Sequence, residues 1–206
     1  MPVITPLGSY LPGFLSLTPL GGAALGALAF LFCRRFTRCG REVGGGRLLL
    51  LALLFLWAGV VFSLTIPIAF PSQWHPGANV QYVLASIQYR PLESSLLIYK
   101  NCASIQNYWP FLRLVVGNFF LLAPFGVLLP ALWPRRWKLG RVALLAGGIS
   151  LGIEGSQLLL NLLCGSLVRT VEVDDLILNL SGCVACYLLF ALCRAIWRRC
   201  RKKAAR

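Results

Sequence analysis

A chain of 206 residues that is 58% hydrophobic and only 13% charged, with a mean hydropathy of +0.74, lacks the makeup of a soluble domain, for which about 25% charge is ordinary. The net charge of +14 would suit a nucleic-acid binder, but such proteins gather Lys and Arg on one face of a folded module. Here the cations flank apolar blocks of the length, about twenty residues, that crosses a hydrocarbon core; nucleic acid is excluded as a partner and membrane lipid is expected.

Five such blocks follow one another: Phe14 to Cys33, Leu48 to Phe70, Leu114 to Trp133, Val142 to Leu163 and Leu176 to Trp197. Gly and Pro inside them are tolerated in a membrane helix. The chain is therefore expected to be all-α, one integral membrane domain over residues 1–206, folded as a polytopic bundle of about five transmembrane helices. The first block has its basic residues after it rather than before it, unlike a cleaved signal peptide, and is taken as a retained span.

The loops assign the sides. Arg34, Arg35, Arg38, Arg41 and Arg47 separate the first two blocks, and Arg135, Arg136, Lys138 and Arg141 the third and fourth. Arg194, Arg198, Arg199, Arg201, Lys202, Lys203 and Arg206 end the chain, leaving only Arg90, Lys100, Arg113 and Arg169 opposite. The positive-inside rule puts the large group in the cytoplasm. A multi-pass plasma-membrane protein is expected, with its N-terminus outside, its C-terminus inside and a basic cytoplasmic tail at 198–206.

Between the second and third blocks, Pro71 to Leu112 forms the one long outer loop. Its run Leu92 to Asn107 mixes apolar and polar residues near Tyr89, Tyr99, Tyr108, Trp109 and Trp74, suited to the headgroup layer that aromatic rings prefer. A lid over an outer site is the sharper reading, since loops of this length are often functional. Cys102 and Cys164 both fall on the outer side, so a bridge between them is open. Cys183 and Cys186 form a C-x-x-C inside the fifth block, where the accessible thiolate of a redox motif is missing and small residues at helix contacts explain them better. The single histidine, His75, leaves no multi-His metal site. No metal and no cofactor is expected.

Ionisable groups inside spans cost about 3 kcal/mol each on insertion scales and are functional candidates by default. Of six acidic residues, Glu154, Glu172, Asp174 and Asp175 fall in one stretch. Glu154 lies about 18 Å from the inner end of its span at a rise of about 1.5 Å per residue. Gln157 and Asn161 follow on the same face. Asp174 and Asp175 precede the fifth block, where carboxylates cap a helix start, but a cluster of three acids beside Arg169 exceeds what capping needs. Asn179 continues the polarity one turn deeper, and Asn118 sits at a similar depth on the third span. Asn118, Glu154, Gln157, Arg169, Glu172, Asp174, Asp175 and Asn179 are the ligand-binding candidates.

These residues also carry a resemblance. Asn118-Phe-Phe-Leu-Leu-Ala-Pro124-Phe125-Gly126-Val-Leu-Leu-Pro130 is similar to an element of the VanZ-like membrane family, Glu154-x-x-Gln157 to its E-x-x-Q, and Arg169-Thr-Val-Glu172-Val-Asp174-Asp175-Leu-Ile-Leu-Asn179-Leu-Ser-Gly182 to its R-x-x-D-x-D-D-x-x-x-N-x-x-G. The likeness covers about residues 85–195, with a weaker echo at Arg90 to Glu93. Val168 departs from the usual Gly, and Glu172 replaces an Asp. The resemblance implies a bacterial plasma-membrane protein of a family linked to resistance against the glycopeptide teicoplanin, and the clustering of rare polar groups toward the outer side leads to the expectation of a cell-envelope protein acting at the outer leaflet. A lipid-linked wall precursor or a lipoglycopeptide, both found at that leaflet, is the expected partner. Three alternatives stand beside it. One is a membrane-embedded enzyme on lipid-linked substrates, with Glu154 as base or a metal on Glu172, Asp174 and Asp175, although no nucleophile–base pair is visible. Another is a transport component using Glu154. The last is a set of polar groups that only bond helices together.

Overall fold

A computed structural model describes residues 17–36, 44–69 and 71–204. Seven α-helices appear in it: α1 (Pro19–Phe36), α2 (Gly45–Thr65), α3 (Val80–Ala85), α4 (Glu93–Ser104), α5 (Trp109–Leu132), α6 (Leu139–Cys164) and α7 (Val173–Ala204). Among the described residues there is no strand, and Gln88 and Glu172 form an isolated parallel bridge. Four helices, α2, α5, α6 and α7, are long and apolar enough to cross a membrane.

Boundaries moved for local reasons. The second block was expected to reach Phe70, but α2 stops at Thr65 with Ile66 extended, as the residue before Pro67 prefers. α5 runs unbroken through Pro124 and Pro130. α7 continues past Trp197 to Ala204, so the described part of the basic tail is helical. The first block is seen only in part, because Phe14 to Ser16 lie outside the described residues. What is described of it, α1, has 18 residues and carries Arg34 and Arg35 in its last turn, and it is not among the four long apolar helices. It runs antiparallel along α2 at backbone contact: a Cβ on Gly26 would stand 2.2 Å from the Phe55 carbonyl oxygen, and one on Gly59 2.0 Å from that of Gly22. This is the small-residue packing of membrane helices.

α2, α5, α6 and α7 share one core of Val61, Leu121, Leu122, Phe125, Leu129, Val142, Ala146, Ile153 and Cys183. The indole N–H of Trp57 donates to the Leu121 carbonyl at 2.9 Å. α5 and α7 run parallel and touch through glycine, since a Cβ on Gly182 would lie 1.7 Å from the Phe119 carbonyl oxygen. Outside the core the surface is apolar, with Leu144, Leu151, Leu159, Leu188, Leu189 and Leu192 all exposed. An apolar exterior of this extent needs lipid or a partner to cover it.

The directions of the helices sort the loops by end. The α2 start, the α5–α6 turn and the α7 terminus share one end, where the Arg47 guanidinium donates to the Leu132 carbonyl at 3.4 Å. The 66–108 segment and the α6–α7 loop share the other. There His75 N–H donates to the Leu163 carbonyl at 2.8 Å, and the Asn79 amide to the Gly165 carbonyl at 3.0 Å. Gly165 ends α6 at φ 60° with Ala78 pressed against it, a turn that favours glycine on both counts.

Candidate functional site

The α6 stripe of Glu154, Gln157 and Asn161 is buried along its length; Asn161 and Glu154 reach the α6–α7 loop, and Gln157 reaches the end of α2. Asn161 Oδ1 accepts the N–H groups of Val168 at 2.8 Å and Arg169 at 3.2 Å, while its Nδ2 donates to the Arg169 carbonyl at 2.6 Å. One amide thus holds the α6–α7 loop in shape. Gln157 Nε2 donates to the Thr65 carbonyl at 3.0 Å, and Arg169 Nη2 to the Leu64 carbonyl at 2.9 Å. Both carbonyls belong to the last turn of α2, which has no helical partner for them and where a cation complements the dipole. Glu154 Oε2 accepts the Glu172 N–H at 3.1 Å.

The two aspartates at the start of α7 divide their work. Asp174 is buried and caps α4 rather than its own helix, accepting from the Leu92 N–H and, through Oδ2, from the Ser95 N–H at 2.9 Å and the Ser95 hydroxyl at 2.6 Å. Asp175 Oδ1 accepts from the Asn118 amide of α5. One turn deeper, Asn179 donates to the Ser150 hydroxyl of α6 at 2.9 Å. Gln88 is laid against the loop as a short parallel pairing, its N–H on the Val171 carbonyl at 2.9 Å and its carbonyl on the Val173 N–H at 3.0 Å; its side chain accepts from the Ser94 hydroxyl.

Among the described residues two buried acceptors are left over. Glu172 Oε2 and Asn179 Oδ1 are buried without a hydrogen-bond partner, an arrangement that calls for an explanation. Burial raises the Glu172 carboxyl above the usual range; the Ser94 and Thr170 hydroxyls oppose this, and Asp174 adds to it. Burial lowers the Arg169 guanidinium, against the attraction of Asp175 and Glu154. Among the described residues the one ion pair is Arg90–Glu93, at 3.6 Å and exposed, so the inner acids and Arg169 act on one another across longer distances.

All eight candidates therefore lie toward the same end, with Asn179 the deepest. The acids do not gather as a metal site, however. Asp174 faces α4 and Asp175 faces α5, and among the described residues no three His, Cys, Asp or Glu side chains stand where they could hold an ion. The bridge left open between Cys102 and Cys164 is not formed: both are free, buried thiols. Cys183 is buried in the core, with its carbonyl 2.2 Å from where a Gly126 Cβ would be. Cys39 lies outside the described residues. His75 is exposed, with Nδ1 3.1 Å from the Gln73 carbonyl. Sequence reasoning missed Gln88, Ser94, Ser95 and Ser150. Ser150 was within reach, four residues before Glu154 on the same face; the others come from a distant segment whose register nothing local announces.

A helical bundle with an apolar exterior, four long apolar helices and a polar network folded into one end defines a membrane protein with an embedded polar site. The chain belongs to the VanZ/LLP1 family, whose pattern matches residues 48–194, reaching back from the expected 85 to include nearly all of α2. No curated protein matches the chain, and no solved structure does.

Proposed function

We propose that this VanZ-type membrane protein is a multi-pass protein of the bacterial plasma membrane, crossing about five times with α1 as the first span. Its polar network acts at the outer leaflet, on the headgroup of a lipid-linked wall precursor or a lipoglycopeptide, and so contributes to glycopeptide resistance. The cation asymmetry between the two ends supports this orientation. The observation that carries the reading is the buried, unpartnered Glu172 Oε2, in a cluster with Glu154, Asp175 and Arg169. Three carboxyl groups with one guanidinium suit a ligand with donor or cationic groups, and the fork of Arg169 suits its phosphate or carboxylate. Replacing Glu154→Ala and Asp175→Ala in a teicoplanin-resistance assay tests it. Resistance is expected to fall at normal protein abundance, and unchanged resistance would count against the role.

A second reading is favoured by the number of these groups already satisfied inside the protein: Asn161, Gln157 and Asp174 fasten backbone from three segments. On that account the network only holds loops, and every substitution would lower abundance and resistance together.

A further inference from the structure

At the end of the bundle opposite this network lies a second feature that the proposed function does not use. A cleft of about 200 Å³ opens between the end of α5, the α5–α6 turn and α7, lined among others by Pro130, Trp137, Tyr187, Phe190, Arg194 and Arg198. Its polarity is graded. Tyr187 and Phe190 lie toward the middle of the bundle, and the two arginines one and two turns beyond Phe190, so the wall from Tyr187 to Arg198 extends about 16 Å along the helix. Arg194 and Arg198 are four residues apart and share one face of α7. Trp137 closes the other side at the level where indole rings sit in the interface.

The charge on this cleft has no answer within the described chain. Glu93, Glu154, Glu172, Asp174 and Asp175 are all at or near the other end, and Glu42 lies outside the described residues. Neither arginine takes part in an ion pair among the described residues. Arg201, by contrast, stacks over Trp197 with its guanidinium carbon 4.9 Å from the ring centroid. We propose that the cleft is a specific site for an anionic glycerophospholipid of the leaflet at the basic end: its phosphate between Arg194 and Arg198, its glycerol and upper acyl chain along Pro130, Tyr187 and Phe190. Basic clefts between membrane helices suit such headgroups, and a guanidinium pairs with phosphate through two parallel hydrogen bonds. The proposal holds whichever leaflet that is, and does not rest on the function proposed above.

The test uses the full chain purified in phosphatidylcholine nanodiscs doped with phosphatidylglycerol, with retained lipid read by native mass spectrometry. Wild type is expected to keep phosphatidylglycerol in preference to phosphatidylcholine. The pair Arg194→Gln/Arg198→Gln is expected to lose that preference about tenfold, and Lys202→Gln/Lys203→Gln, with the same charge removed outside the cleft, to retain it. Ala191→Trp, which fills the cleft and leaves both arginines, is expected to lose it as well; this variant decides the matter if the arginine pair does not fold. Equal losses in the arginine and lysine pairs would reduce the effect to general basicity and overturn the site. So would retention in Ala191→Trp, or competition by free glycerol phosphate as effective as the lipid.

Discussion

Asp174 opens α7 yet caps α4, taking both the N–H and the hydroxyl of Ser95 on one carboxylate oxygen at 2.9 and 2.6 Å. A helix in the long inter-span segment is thereby anchored to the start of a membrane helix, 79 residues later in sequence. The expected consequence of Asp174→Ala is local. Losing an N-cap costs about 0.5–2 kcal/mol, and the donors of Leu92 and Ser95 are left without an acceptor. Amide exchange over residues 93–104 should rise while that of α6 stays low. Asp174→Asn, which keeps an acceptor oxygen, should show a smaller increase. Uniform acceleration across the bundle would mean that Asp174 supports the core and not α4.

The contact between α5 and α7 rests on the missing side chain of Gly182. A methyl group there meets the Phe119 carbonyl oxygen at 1.7 Å, which is backbone and cannot swing aside. Gly182→Ala should therefore separate the helices locally and lower the thermal midpoint in detergent, at a cost of about 1–3 kcal/mol typical of overpacking. Gly148→Ala, where a Cβ meets nothing within 4 Å, is the matched control and should leave the midpoint unchanged or slightly raised. Equal midpoints for the two variants would refute the close approach.

Hydropathy located α2, α5, α6 and α7 because each must satisfy its own backbone over a full membrane thickness, and that requirement writes a long apolar run into the chain. The scarcity of acids did the same for the site. Glu154, Gln157 and Asn161 share a face by helical period alone, so their common burial was legible. The partners were not. Ser95 meets Asp174, and Gln88 meets the α6–α7 loop, through tertiary contacts with no local signature; α4 was foreseen only as an interfacial run, and α3 not at all. Capping was the plain account of Asp174 and it is capping that Asp174 does, on a helix that no reading of its own neighbourhood could name. Likewise the metal alternative drew on three acids close in sequence, and side-chain directions at a helix start separate them.

Glu172 supplies a pH dependence with a definite sign. Burial holds its carboxyl above the usual range, so the folded protein keeps a proton that the unfolded chain has already released. Where the folded state binds more protons, stability falls as pH rises. The contribution is complete below the ordinary carboxylate range and is lost as pH climbs through the raised value. The thermal midpoint measured across that window should decline for the wild type, and more shallowly for Glu172→Gln, which carries no titrating proton. Parallel curves would mean that another group dominates.

Orientation is open to direct labelling, because the two ends carry distinguishable thiol positions. Cys193 and Cys200 are exposed on α7 toward the basic end, whereas Cys102, Cys164 and Cys183 are buried. Ser166 is exposed in the α6–α7 loop beside Arg169, and Ser166→Cys places a thiol there without touching the Asn161 side-chain bonds. In intact cells a membrane-impermeant maleimide should modify Ser166→Cys and leave Cys200 unmodified; after permeabilisation both should react. This order follows if the cation-rich end faces the cytoplasm, since moving so many Lys and Arg across the bilayer is what the positive-inside bias opposes. The reverse order would put the acid cluster on the inner leaflet, out of reach of any glycopeptide, and the resistance role would go with it.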